Sequence, residues 1–144
     1  MKKAFTLLEL IFVILIIGIL TSLSSSFINI TKDEVKILKL KTDYEMLNSA
    51  LTLMRTQMQL KNLDFPSILD HARINHAREK LFYCNDCGYS LLDTPIYSDF
   101  KFWMKIDKNH YSFFLNSKES IKFVYDPKEG LFKCLESFRC KDLI

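Results

Sequence analysis

The stretch KAFTLLELIFVILIIGIL, residues 3–20, holds one carboxylate, Glu9, near the start of an otherwise apolar run. As an α-helix the 19 positions of residues 5–23 extend about 29 Å, close to the roughly 30 Å of a bilayer's hydrocarbon core. Lys2 and Lys3 precede the run, an arrangement that holds the N-terminus on the cytoplasmic side. An unpaired charge costs about 2.5–3.5 kcal/mol at the centre of a span and less near its ends, so an intramembrane acid normally faces a partner. The following LTSLSSS, residues 20–26, has the form of a signal-peptide cleavage region ending at Ser22 or Ser24, but that reading leaves Glu9 unexplained.

A free α-amine on a neighbouring copy, created by a cut just before Phe5, is the partner that suits the carboxylate. Here the residues resemble the class III signal of type IV pilins and type II secretion pseudopilins. The resemblance rests on the short basic leader, on Phe5 as first mature residue, on Thr6 and Leu7, and on Glu9 at the fifth mature position. Gly18 falls where many members carry a helix-softening glycine. The resemblance implies that prepilin peptidase cuts between Ala4 and Phe5 and methylates Phe5 to N-methylphenylalanine. It implies that Glu9 serves assembly, taking a charge-assisted contact from the Phe5 amine of the adjacent subunit. Ala4 stands where glycine is usual, and Ser26 where major pilins often carry proline, which points to a minor pilin or pseudopilin.

The apolar period continues beyond the span. Ile37, Leu40, Tyr44, Leu47, Leu51, Met54 and Met58 recur at steps of three and four, with charged and polar residues across much of the opposite surface. No proline interrupts residues 5–64, so the pattern predicts one helix of about 58 residues, near 87 Å long, weakest around residues 24–26 and Asn29. Its stripe is expected to pack on a sheet of the same chain; a coiled coil is the alternative.

Asp64 and Pro66 open an expected short helix with Ile68, Leu69, Ala72, Ile74 and Ala77 as its apolar members. His71, Arg73, His76, Arg78 and Lys80 make this run the most basic local patch. A solvated helix face is the plainer reading, since no aromatic residue interleaves the run; a DNA contact is the other. From Phe100 the period changes to two. Phe100, Phe102, Met104 and Ile106 form one set, Tyr111, Phe113 and Leu115 a second, Ile121, Phe123 and Tyr125 a third, with Leu131 to Leu135 as a fourth strand. Trp103, Phe114 and Val124 fall on the other face, covered by residues 81–98 or open to a neighbouring subunit. Pro127 and Gly130 supply the turn chemistry of the last hairpin.

The fold class is therefore α+β: a long N-terminal helix on a small antiparallel sheet, which is the pilin fold. The divisions are a leader at residues 1–4, a transmembrane and filament-core helix at 5–24, its amphipathic continuation at 25–62, and a periplasmic domain at 63–144.

The net charge is +3, and without Lys2 and Lys3 the remaining 18 basic residues face 17 acidic ones, too even a balance for a strong nucleic-acid footprint. Cys84, Cys87, Cys134 and Cys140 permit two disulfides or a four-thiolate zinc site. A location outside the cytoplasm favours disulfides. Pilins often close a C-terminal loop this way, and Cys134–Cys140 resembles that loop, leaving Cys84–Cys87; cross-pairing of the two segments is the alternative. A thioredoxin-like site lacks its βαβ surroundings. His71, His76 and His110 lack metal or nucleophile spacing, and Asp126, Glu129 and Glu136 form no calcium loop. No enzyme and no cofactor is expected, with zinc as the exception considered.

The resemblance implies as partners other pilins or pseudopilins, prepilin peptidase, an assembly ATPase and an inner-membrane platform. Usage rich in Phe, Lys, Ile and Asn resembles minor pseudopilins of transformation systems, which ranks DNA uptake before type II protein secretion. The rival class is a monomeric, membrane-anchored periplasmic domain with zinc or disulfides.

Overall fold

A computed structural model describes residues 6–25, 32–84, 91–135 and 138–143. The chain divides into two units, Met1–Glu34 and Val35–Ile144. In the first, α1 spans Leu7–Ser25. Thr6 caps it: its carbonyl accepts the Glu9 and Leu10 N–H groups at 3.1 and 3.2 Å, and its hydroxyl faces the Glu9 N–H at 3.4 Å.

The second helix, α2, spans Lys32–Leu60. Helix is described before and after residues 26–31, which lie outside the described residues, where the expected single helix would have to continue. At its end Asn62 takes φ 51°, the Leu63 N–H reaches the Met58 carbonyl at 2.9 Å, and the Asn62 N–H reaches Gln59 at 3.1 Å. These paired bonds close a Schellman cap. The expected stripe forms the helix's inner face: Leu40, Leu47, Leu51 and Met54 are buried, with Ile37, Tyr44 and Met58 packed against the same core.

That core lies against an antiparallel meander. Strands β3 (Trp103–Lys105), β4 (His110–Phe114), β5 (Ser120–Asp126) and β6 (Leu131–Cys134) pair in sequence order. Register places Trp103 opposite Phe113, Phe113 opposite Ile121, Tyr111 opposite Phe123 and Tyr125 opposite Phe132. Phe123 and Phe132 stack at 5.4 Å, and Trp103 meets Phe113 edge to face at 5.2 Å. Gly130 closes the β5–β6 turn at φ 65°, its N–H on the Asp126 carbonyl at 2.8 Å. A Cβ there would meet Arg55 Cγ at 3.0 Å and Phe65 Cγ at 3.1 Å. The chain then ends in a 3-10 turn, Arg139–Leu143, that buries Leu143.

Two expectations are corrected. Trp103, not Met104, shares the core face with Phe113. All three residues of β3 are buried, so alternation carried no sign of which face was inner. The indole N–H, which needs an acceptor when buried, decides it by reaching Asp43 Oδ2 at 2.9 Å. Phe114 and Val124 do stand on the outer face, half-buried.

The short helix expected from Asp64 does not form; residues 63–79 are turns and extended chain. Asp70 is the reason. It is fully buried, and its carboxylate accepts the Ala72 N–H at 3.1 Å, the Phe82 N–H at 2.9 Å, the Tyr111 hydroxyl at 2.8 Å and Lys105 Nζ at 2.7 Å. A carboxylate that takes the N–H two residues on competes with helical bonding. Asn75 and Arg78 adopt φ of 55° and 64°, incompatible with a right-handed helix. The segment ends in a small ribbon, β1 (Lys80–Leu81) against β2 (Ile96–Tyr97).

Candidate functional site: an apolar helix, an outer stripe and covalent staples

Within the sequence of α1 Glu9 is the one charged residue. Every α1 side chain described is exposed, its large apolar members from Leu8 at 77% to Ile16 at 43%. Apart from Glu9, Thr21 and Ser22 the described surface is apolar on every side, and such a helix belongs inside lipid or protein rather than in water. Glu9 sits in the first turn, where the N-terminal end of the helix dipole favours an anion. Thr6 and Glu9 have the spacing of a capping box. Ala4 and Phe5, the expected cleavage pair, lie outside the described residues. Among the described residues no helix is long and apolar enough to cross a membrane. The α1 side chains are described as far as Ser22.

A second surface was missed in the sequence. Val35, Leu38, Thr42, Met46, Ser49, Leu53, Thr56 and Leu60 recur at steps of three and four on α2, and all are exposed. They run opposite the inner stripe. The Thr42, Ser49 and Thr56 hydroxyls donate to the carbonyls of Leu38, Glu45 and Thr52 at 2.8–3.0 Å. With hydroxyls satisfied by their own helix, these positions present small, weakly polar surface suited to close helix contact. The signal was the same 3.6-residue period, hidden by the threonines and serine set among the apolar residues.

Cys134 and Cys140 are joined by a disulfide with their Cα atoms 5.9 Å apart, as the C-terminal loop reading expected. Cys84 is disulfide-bonded too, while Cys87 lies outside the described residues. Among the described residues no group of three or more His, Cys, Asp or Glu could hold a metal ion.

At the β5–β6 turn an internal cation sits with the acids: Lys133 Nζ lies 3.3 Å from Asp126 and hydrogen-bonds Glu129. The Lys128 N–H on the Asp126 carboxylate, ahead of Lys133, holds that acid below its ordinary range. The hydrogen bond to Glu129 raises the Lys133 ammonium. Glu136 lies outside the described residues.

Two helices followed by an antiparallel four-stranded sheet make this an α+β chain, an arrangement consistent with the pilin fold. Over residues 1–25 the chain matches the family model described as the prokaryotic N-terminal methylation motif, and so carries the class III prepilin signal. Neither a curated protein nor a solved structure matches the chain. The signal implies processing by prepilin peptidase and assembly with other pilins, the work of a structural subunit.

Proposed function

We propose that this chain is a minor pilin or pseudopilin of a short periplasmic filament that serves DNA uptake. The observation carrying the reading is the methylation motif at residues 1–25 set on a predominantly apolar helix with Glu9 as its sole charge. Peptidase cleaves between Ala4 and Phe5 and methylates Phe5. Until assembly, residues 5–24 anchor the subunit in the inner membrane with the C-terminal domain in the periplasm.

During extraction by the assembly platform, Glu9 of one subunit neutralises the Phe5 amine of its neighbour. In a low-dielectric bundle an unmatched carboxylate is expensive, so the contact sets register as the next subunit enters. The outer stripe of α2 continues the contact along neighbouring pilin helices. The minor role is supported by Ala4 and Ser26, where major subunits differ, and by a β5–β6 turn whose acids are met by Lys133.

Replacing Glu9 by Gln tests the reading. The variant is expected to reach the membrane with its disulfides formed but to drop out of sheared or cross-linked filaments; undiminished incorporation refutes it. A deletion strain scored for both transformation and exoprotein release then separates uptake from type II secretion: loss of transformation alone supports uptake, and loss of release alone overturns it.

A further inference from the structure

The basic run at residues 71–80, expected to be a solvated helix face without aromatic neighbours, is instead folded beside two tyrosines. His71, Arg78, Lys80, Tyr83 and Tyr97 line one cleft of about 390 Å³. Lys80 and Tyr97 are directly opposed in the β1–β2 ribbon. The Lys80 ammonium lies 5.0 Å from the centre of the Tyr83 ring. Tyr97 is 54% exposed.

Arg78 is held there by the backbone. It takes the left-handed φ of 64°, uncommon for arginine, and its N–H donates to the Ser98 carbonyl at 2.8 Å, while the Ser98 N–H returns to Glu79 at 2.8 Å. Glu79 is the acid of the cleft, and its charge is already met: Arg73 lies 2.6 Å away and His76 3.7 Å.

From this juxtaposition of Arg78 and Lys80 with the rings of Tyr83 and Tyr97 we infer a binding site for a single-stranded nucleic acid. Two cations track phosphates, and the exposed Tyr97 ring, beside the half-buried Tyr83, offers a stacking face to an unpaired base. A duplex keeps its bases stacked on one another and gains nothing from the tyrosines, so the cleft prefers the single strand. The inference deepens the DNA-uptake reading and rests on it for its setting. The binding is a property of the subunit, measured without filaments, so the two readings fail separately.

The test is fluorescence anisotropy of a labelled oligothymidylate about 12 nucleotides long against the full chain in non-ionic micelles. Two neutralised phosphates give a log–log salt slope near −1.4, about a sevenfold loss of affinity between roughly 50 and 200 mM salt. Arg78→Ala with Lys80→Ala is expected to abolish that slope. Tyr97→Ala is expected to weaken binding about tenfold while leaving the slope in place. Emission from the buried Trp103, unchanged in each variant, certifies the fold. Absence of binding at low salt, an unchanged slope in the double variant, full affinity in Tyr97→Ala, or equal affinity for duplex overturns the proposal.

Discussion

The Trp103 indole N–H donates to Asp43 Oδ2 at 2.9 Å with both side chains buried, joining the edge strand β3 to the inner face of α2. Asp43 also pairs with Lys39 at 3.1 Å. Removing the acceptor leaves a buried donor without a partner. Asp43→Ala is expected to lower stability by about 1.5–3 kcal/mol, and Asp43→Asn by less, since its amide oxygen still accepts. Urea melts read the difference; equal losses for the two variants contradict the assignment.

Asp70 ties the segment after α2 to the sheet. With Lys105 at 6% side-chain exposure and Asp70 at 0%, their pair leaves neither charge a route to water. Lys105→Met strands the carboxylate and is expected to cost about 3–5 kcal/mol. Tyr111→Phe removes one of several donors and is expected to cost about 1.5–3 kcal/mol. Replacing both ions, Asp70→Asn with Lys105→Met, should cost less than the sum of the single changes, because no buried charge remains. A strictly additive double variant in chemical denaturation would refute the coupling.

Those two buried acids also mark where sequence stopped being a guide. The inner stripe of α2 was legible because seven apolar residues kept one period over a long helix with a sheet to bury them. The meander was legible from alternation and turn residues, and Gly130 fell where a left-handed turn needs it. Asp43 lies on the same helix as polar residues that face water, and only Trp103, far along the chain, tells it apart. Residues 64–80 have helical spacing, but Asp70 binds the Ala72 N–H and both Asn75 and Arg78 adopt left-handed φ, long-range effects no local pattern reports. The β1–β2 ribbon has two residues per strand, too few to show a period. In the candidate site, Glu9 stood out because charge is rare in an apolar helix, whereas the outer stripe was masked by hydroxyl residues.

Asp126 and Lys133 make a small, pH-dependent contribution at the surface. Asp126 is lowered mainly by the Lys128 N–H, so its share of stability is full above the unfolded carboxyl value and fades as pH falls through the lower folded one. Lys133 is raised, chiefly by its hydrogen bond to Glu129, so its share is present below the usual lysine value and is lost as pH climbs through the higher folded one. Carboxyl-detected NMR should place the Asp126 midpoint below 3.8. Lys133→Ala should move that midpoint only part of the way back, because the Lys128 N–H remains. A full return to the ordinary value would show that Lys133, not the backbone, is the cause.

The Cys134–Cys140 bridge closes a short loop, with a sequence separation of 6. Replacing both cysteines by serine is expected to cost about 2 kcal/mol by the loop-entropy model. Intact mass of the unreduced chain should show no free thiol, as no described cysteine is free. A bound zinc that survives native spraying and leaves on chelation would contradict the oxidised state.

Leu53 lies at the middle of the outer stripe and is 62% exposed. Leu53→Lys should change the stability of the isolated subunit by no more than about 0.5 kcal/mol. If the stripe meets neighbouring pilin helices, the same change should sharply reduce filament incorporation. Normal incorporation removes the stripe from the assembly model.

The whole account depends on a cut before the apolar helix, because only that cut creates the cation that Glu9 is proposed to neutralise. Mass spectrometry of the N-terminal peptide from the mature, membrane-derived chain tests this directly. The account predicts a peptide beginning at N-methylated Phe5; one that begins at Met1, or within the serine cluster after Leu23, contradicts it.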